Sequence, residues 1–112
     1  MTIFEKIIRR EIPADIIWED DDAVVFHDVN PQAPVHVLIV PREHIVSADT
    51  VEAGHADVLA EMMETAQAVA RQEGLSDRGY RLVFNVGEDA QNSVAHLHMH
   101  VVGGRPMEWP PG

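Results

Sequence analysis

The chain has 112 residues, 46% hydrophobic and 24% charged, which suits a single domain over residues 1–112 and leaves no material for a second packed core. With 19 acidic against 8 basic residues the formal charge is -11, a sign that repels nucleic acid and anionic membranes as partners. No cysteine is present, so disulfides, thiolate metal sites and a cysteine nucleophile are excluded together.

The opening Met1 to Lys6 lacks the basic and apolar regions of a secretory signal, and no apolar run approaches the roughly 20 residues of a membrane span. A cytoplasmic protein is therefore expected. Ile3, Phe4, Ile7 and Ile8 have helical spacing, in a segment that runs into Pro13. Ile16–Trp18 reads as a strand, Glu19 to Asp22 as a turn, and Ala23–Asp28 as the returning strand of a hairpin. After the proline loop 30–34 comes the most apolar run, Val35–Val40, a central strand stopped at Pro41.

The spacing predicts one long helix beginning near Asp49 or Thr50 and capped at Gly74, with Leu59, Met62, Met63, Ala66, Val69 and Ala70 as its buried stripe. Two further strands are expected, Tyr80–Val86 and Val94–Val102, before a Gly- and Pro-rich tail from Gly103. These elements make an α+β domain with a mainly antiparallel, five-stranded sheet, one long helix and one short helix.

His96-Leu97-His98-Met99-His100 is the informative segment. Strand alternation places the three histidines on one face, about 6.6–6.8 Å apart, with Leu97, Met99 and Val101 on the other. An unprotonated imidazole is a nucleophile near neutral pH, and a protonated one neutralises phosphate or donates a proton. Two histidines at this spacing also suit zinc, with His36 or Asp28 as a third ligand. On the residues alone, direct catalysis and metal binding stand as equal alternatives.

The run Leu97-His98-Met99-His100-Val101-Val102-Gly103-Gly104-Arg105 resembles the histidine triad (HIT) family, in particular its Hint branch of nucleotide-binding proteins. The likeness extends to Thr2–Pro13, to Phe26-His27-Asp28 with Pro31–His36, and to the ending Trp109-Pro110-Pro111-Gly112. It implies hydrolysis of purine nucleoside phosphoramidates through a nucleotidyl-histidine intermediate. It also implies a homodimer in which two sheets join, and no required metal or other cofactor. Within the family, the third histidine, His100, favours hydrolysis over transfer, and the Trp109 ending disfavours cleavage of dinucleoside polyphosphates. A binding or protein-interaction module with incidental hydrolysis is the reading from a different class.

By the same resemblance His98 is the nucleophile, its other nitrogen held by backbone near the third histidine. His96 stabilises the phosphoryl oxygens, and His100 and His36 complete the proton network. Ser93 and Asn85 match positions that contact the phosphate or leaving group, and Asp28 matches the acceptor of the ribose hydroxyls. Phe4, Ile7, Phe26, His27, Val29 and Leu38 match the base pocket, and Trp109 matches a residue that reaches the partner subunit's site. His44 and His55 receive no task. One departure stands out: the loop before Ser93 reads Ala90-Gln91-Asn92 where the family usually has a small residue, glycine and glutamine.

Overall fold

Thr2 starts the first helix, α1 (Ile3–Ile8), through a capping box: its hydroxyl accepts the Glu5 N–H at 3.2 Å, while Glu5 Oε1 accepts the Thr2 N–H at 3.0 Å. The computed structural model describes residues 1–112. The strands β1 (Ile16–Glu19) and β2 (Ala23–His27) form the expected hairpin, closed by Asp20, whose carboxylate accepts the N–H groups of Asp22 and Ala23. The central strand β3 (Val35–Pro41) follows.

The long helix, α2 (Ala56–Gln72), begins later than its apolar spacing suggests. Ser47 captures Asp49 and Thr50 in a 3₁₀ turn, and Val51 leaves that turn extended, with ψ 135°. A second 3₁₀ turn, Ala53–His55, then leads into the helix. Its C-terminus is as expected. Gly74 takes φ +76°, the Gly74 N–H reaches Arg71 O at 3.2 Å and the Leu75 N–H reaches Ala70 O at 2.8 Å, a Schellman cap. The buried stripe is Met62, Thr65, Ala66, Val69 and Ala70. Met63, expected within it, is exposed, and Thr65 takes the inward place.

The last two strands, β4 (Tyr80–Val83) and β5 (Met99–Gly103), complete a five-stranded antiparallel sheet in the order β1-β2-β3-β5-β4. Both are shorter than their alternation suggests. Continuing the β4–β5 register past Val83↔His100 would set Asn85 opposite His98. The chain leaves the ladder before that point: Leu97 donates its N–H to Ile45 O at 2.6 Å instead. His96 and His98 therefore lie just before the strand rather than within it.

Each sheet face has its own apolar layer. Val25, Val37, Ile39, Met99 and Val101 pack with Leu97 against Met62, Ala66 and Val69 of α2. On the opposite face Val24, Phe26, Leu38 and Val40 pack with Phe4 and Ile7 of α1. Alternation along β3 and β5 puts His36 and His100 on this second face. The apolar half of the histidine segment is thus the anchor for the other half.

Candidate active site

The β3–β5 register pairs Leu38 with His100 and His36 with Val102, so the two imidazoles lie diagonally across adjacent strands. His36 Nε2 is 2.8 Å from His100 Nδ1, and their ring centroids are 5.1 Å apart. The His98 ring continues the row, 5.1 Å from His100 and 4.8 Å from Phe4, which meets it edge-on.

Backbone partners assign the protons. His36 Nδ1 accepts the Gln32 backbone N–H at 3.0 Å, so in the neutral ring the proton resides on Nε2. That Nε2–H donates to His100 Nδ1, leaving the His100 proton on its unengaged Nε2. His98 Nδ1 donates to the His96 carbonyl at 2.8 Å, so His98 Nε2 carries a lone pair. The acceptor is thus the backbone of the first histidine of the triad, not the third, because the side chain folds back two residues where regular strand has not yet begun.

Burial on the sheet disfavours the protonated forms of His100 and His36. The His100 pKa is pulled down to about 4, chiefly by burial and then by the nearby His98 and His36 rings. Burial also lowers His36, opposed by the Asp28 carboxylate, whose Oδ2 lies 3.4 Å from His36 Nε2. Asp28 is itself held by the Asn30 N–H at 2.8 Å on Oδ1. The arrangement can present one imidazole lone pair and an adjacent N–H donor backed by a carboxylate. That is the equipment for nucleophilic attack with proton delivery.

His96 sits differently from expectation. It is 1% exposed, its Nε2–H donates to Pro41 O at 2.8 Å, and its Nδ1 faces His44 Nδ1 at 3.3 Å. Both nitrogens are engaged, so its ring has no donor for a phosphoryl oxygen. Its carbonyl, holding His98, is the part that faces the chemistry.

Among the other expected site residues, Phe4, Ile7, Phe26 and Leu38 form a buried apolar wall beside the triad. His27 alternates away from that wall and lies 3.7 Å from Asp15, and Val29 is fully exposed. Asn85 is half-buried after β4, and Ser93 is exposed on the loop before the triad. Trp109 is exposed, with the Arg81 guanidinium 6.0 Å from its ring centroid. It is not packed into its own chain's site.

Four contributors escaped the sequence reading. Gln32 sets the His36 tautomer through its backbone, which no side-chain pattern reveals. Asn92 buries an Oδ1 that has no partner; its place beside Gln91, which stands where the family usually has glycine and takes φ +61° here, was the available signal. Glu5 and His44 come together at His96. Two clusters have the donor atoms for a metal ion, Asp28–His36–His100 and Glu5–His44–His96. In the first the 2.8 Å nitrogen–nitrogen contact is a hydrogen bond, shorter than the roughly 3.3 Å that separates ligand atoms on a tetrahedral ion with bonds of about 2.0–2.1 Å.

The HIT domain model matches residues 9–107. The chain is 47% identical to a purine nucleoside phosphoramidase of Escherichia coli over 106 residues, covering 95% of this chain and 89% of the relative. It is 46% identical to an adenylylsulfatase of Arabidopsis thaliana over 113 residues, covering 99% and 76%. Among solved structures, a HIT family hydrolase from Legionella pneumophila superimposes with a TM-score of 0.97 at 45% identity, covering all of both chains.

Proposed function

Because this chain belongs to the HIT family of hydrolases, we propose that it cleaves the P–N bond of purine nucleoside phosphoramidates through a covalent intermediate on His98. One observation carries the reading: His98 Nδ1 is committed to the His96 carbonyl, which leaves Nε2 as a free lone pair beside an apolar wall. The phosphoramidase and adenylylsulfatase relatives agree in acting on nucleotides.

In the first step His98 Nε2 attacks the α-phosphorus, a phosphorus–nitrogen bond to the imidazole forms, and the bond to the amine breaks. The departing amine needs a proton. The neutral His36–His100 pair has none to spare, so a proton taken up from solvent as the anionic substrate binds is shared between the two rings beside the Asp28 carboxylate. His100 delivers it from Nε2, which returns the pair to neutrality. Such positioned acid catalysis contributes about 10²–10⁴-fold. Water then attacks the same phosphorus, releasing the nucleoside monophosphate and His98, and its proton returns to the His36–His100 pair.

In this reading the α1-side wall of Phe4, Ile7, Phe26 and Leu38 takes the base, with His27 and Val29 at its rim. Asp28 accepts the ribose hydroxyls, and Asn85 and Ser93 donate to the phosphate or leaving group. Trp109 acts across a homodimer, in the cytoplasm, with no cofactor required.

The test compares wild type with His98→Ala on an adenosine phosphoramidate, with and without a chelator. A chelator-insensitive wild type, an inactive variant and a nucleotidyl mass on His98 in quenched reactions are expected. Loss of wild-type activity with chelator, or full activity in the variant, would reject the mechanism.

A further inference from the structure

Behind the triad, away from the proposed substrate, three groups from distant parts of the chain converge. Glu5 Oε1 lies 3.5 Å from His44 Nδ1, which lies 3.3 Å from His96 Nδ1. The His96 Nε2–H is fixed on Pro41 O, so His96 Nδ1 must accept. The proton between the two rings therefore belongs to His44, which holds it between an imidazole lone pair and a carboxylate.

This contact lies where the sheet gives no support. The β3–β5 ladder ends at Ile39↔Met99, yet the carbonyl that orients His98 belongs to His96, three residues earlier. Three contacts outside the ladder hold that segment: Leu97 N–H to Ile45 O at 2.6 Å, His96 Nε2–H to Pro41 O at 2.8 Å, and His44 to His96 Nδ1. The first and the last come from the same dipeptide, His44-Ile45. Glu5 ties this dipeptide to the start of α1, because the oxygen facing His44 also accepts the Thr2 N–H of the capping box.

We propose that His44, oriented by Glu5, is a positioning residue for the nucleophile: it locks the His96 ring and so aims the His96 carbonyl that keeps His98 in its reactive tautomer. The inference rests on the nucleophilic role given to His98 above. His44 touches no reacting atom, and its influence passes through His96.

The charged and titratable groups facing His96 are Glu5 from α1, His44 from the segment after β3, and His98 beside it. Protonating His96 Nδ1 would set two donors face to face. Burial lowers the His96 pKa, which reserves that failure for more acidic solution.

The test uses His44→Ala, His44→Asn and Glu5→Gln in the full chain. Asparagine restores an N–H near the position of Nδ1, and Glu5→Gln keeps an acceptor for the Thr2 cap while removing the charge. Ring-nitrogen NMR correlations read the His98 tautomer without any substrate. His44→Ala should turn a single Nδ1–H species into a mixture and lower kcat about tenfold at unchanged KM, since small misplacement of a reacting group costs rate. His44→Asn should recover most of both, and Glu5→Gln should fall between. A pure Nδ1–H His98 in His44→Ala would overturn the proposal. An undisturbed clamp and tautomer in a protein with no phosphoramidase activity would instead reject the function above. If His44→Ala fails to fold, Glu5→Gln decides alone, and an unchanged tautomer and kcat there would reject the role of Glu5 and with it the clamp.

Discussion

His36 Nε2 lies 2.8 Å from His100 Nδ1 although 64 residues separate them in the chain. The antiparallel β3–β5 pairing makes this contact, and the Gln32 N–H gives it a direction by taking the lone pair on the far side of His36. Removing His36 thus strands an acceptor on His100 and a donor on Gln32. We expect His36→Ala to lower kcat by about 10²-fold or more and to cost roughly 1–3 kcal/mol of stability. Steady-state kinetics and urea unfolding of the same preparation check the two effects.

The lowered histidines make stability depend on pH with a definite sign. His36, His96 and His100 all bind protons less readily folded than their ordinary 6.5, His100 only at about 4. The unfolded chain therefore takes up more protons, and stability falls as pH drops. For His100 the contribution is intact above about 6.5, declines between 6.5 and about 4, and is fully lost below. Each such proton adds about 1.4 kcal/mol per pH unit to the slope. Denaturant midpoints at pH 7.5, 6 and 5 measure it, and replacing His100 with glutamine should flatten the slope.

Asp28 spends Oδ1 on the Asn30 N–H and keeps Oδ2 near His36. Asp28→Asn preserves the turn if its amide oxygen takes the Asn30 contact, but it loses the carboxylate proposed for the ribose. KM should rise about tenfold, the equivalent of roughly 1.4 kcal/mol, with a smaller fall in kcat through the lost support of His36. An unchanged KM for a ribonucleotide substrate would place the ribose elsewhere.

Gly104 has φ +93°, and a Cβ built there would lie 2.9 Å from Pro34 Cβ. Neither the backbone nor the proline ring can give way easily. Gly104→Ala should cost about 1–3 kcal/mol, read as a lowered thermal midpoint. Gln91 is the converse case, an L-residue at φ +61°. Glycine there relieves about 1–2 kcal/mol of strain but adds about 0.4–1 kcal/mol of unfolded-state entropy. Gln91→Gly should thus stabilise by about 0.5–1 kcal/mol, and a destabilised variant would reveal a contact made by the glutamine side chain.

Much of this fold was legible in the sequence because its signals are local. The hairpin closes on Asp20, the central strand is apolar but for His36, and Gly74 caps α2 where its spacing ends. The misjudged elements failed for identifiable reasons. The α2 start was displaced because Ser47 and Val51 impose a 3₁₀ turn and an extended residue on a stretch whose periodicity continues upstream. Alternation overextends the histidine strand because it persists in sequence even where the backbone leaves the ladder: Leu97 is buried like a strand residue, but its N–H bonds to Ile45.

At the candidate site, the triad and its link to His36 could be anticipated from residue types and resemblance. The tautomers could not, since Gln32 N and the Pro41 and His96 carbonyls are backbone groups that any sequence possesses. The pairing of Glu5 with His44 was equally hidden, because only the folded chain brings residues 39 positions apart into one clamp. The resemblance assigns His96 to the phosphate, and its 1% exposure removes its ring from that surface.

Leu97, Met99 and Val101 belong to the α2-side core, between and beside the residues proposed for the chemistry. No opening of the triad can then occur without pulling three apolar plugs from the centre of the molecule. Slow amide exchange should extend through residues 97–101, and catalysis should vanish on heating only when the whole domain melts, with no earlier inactivation step.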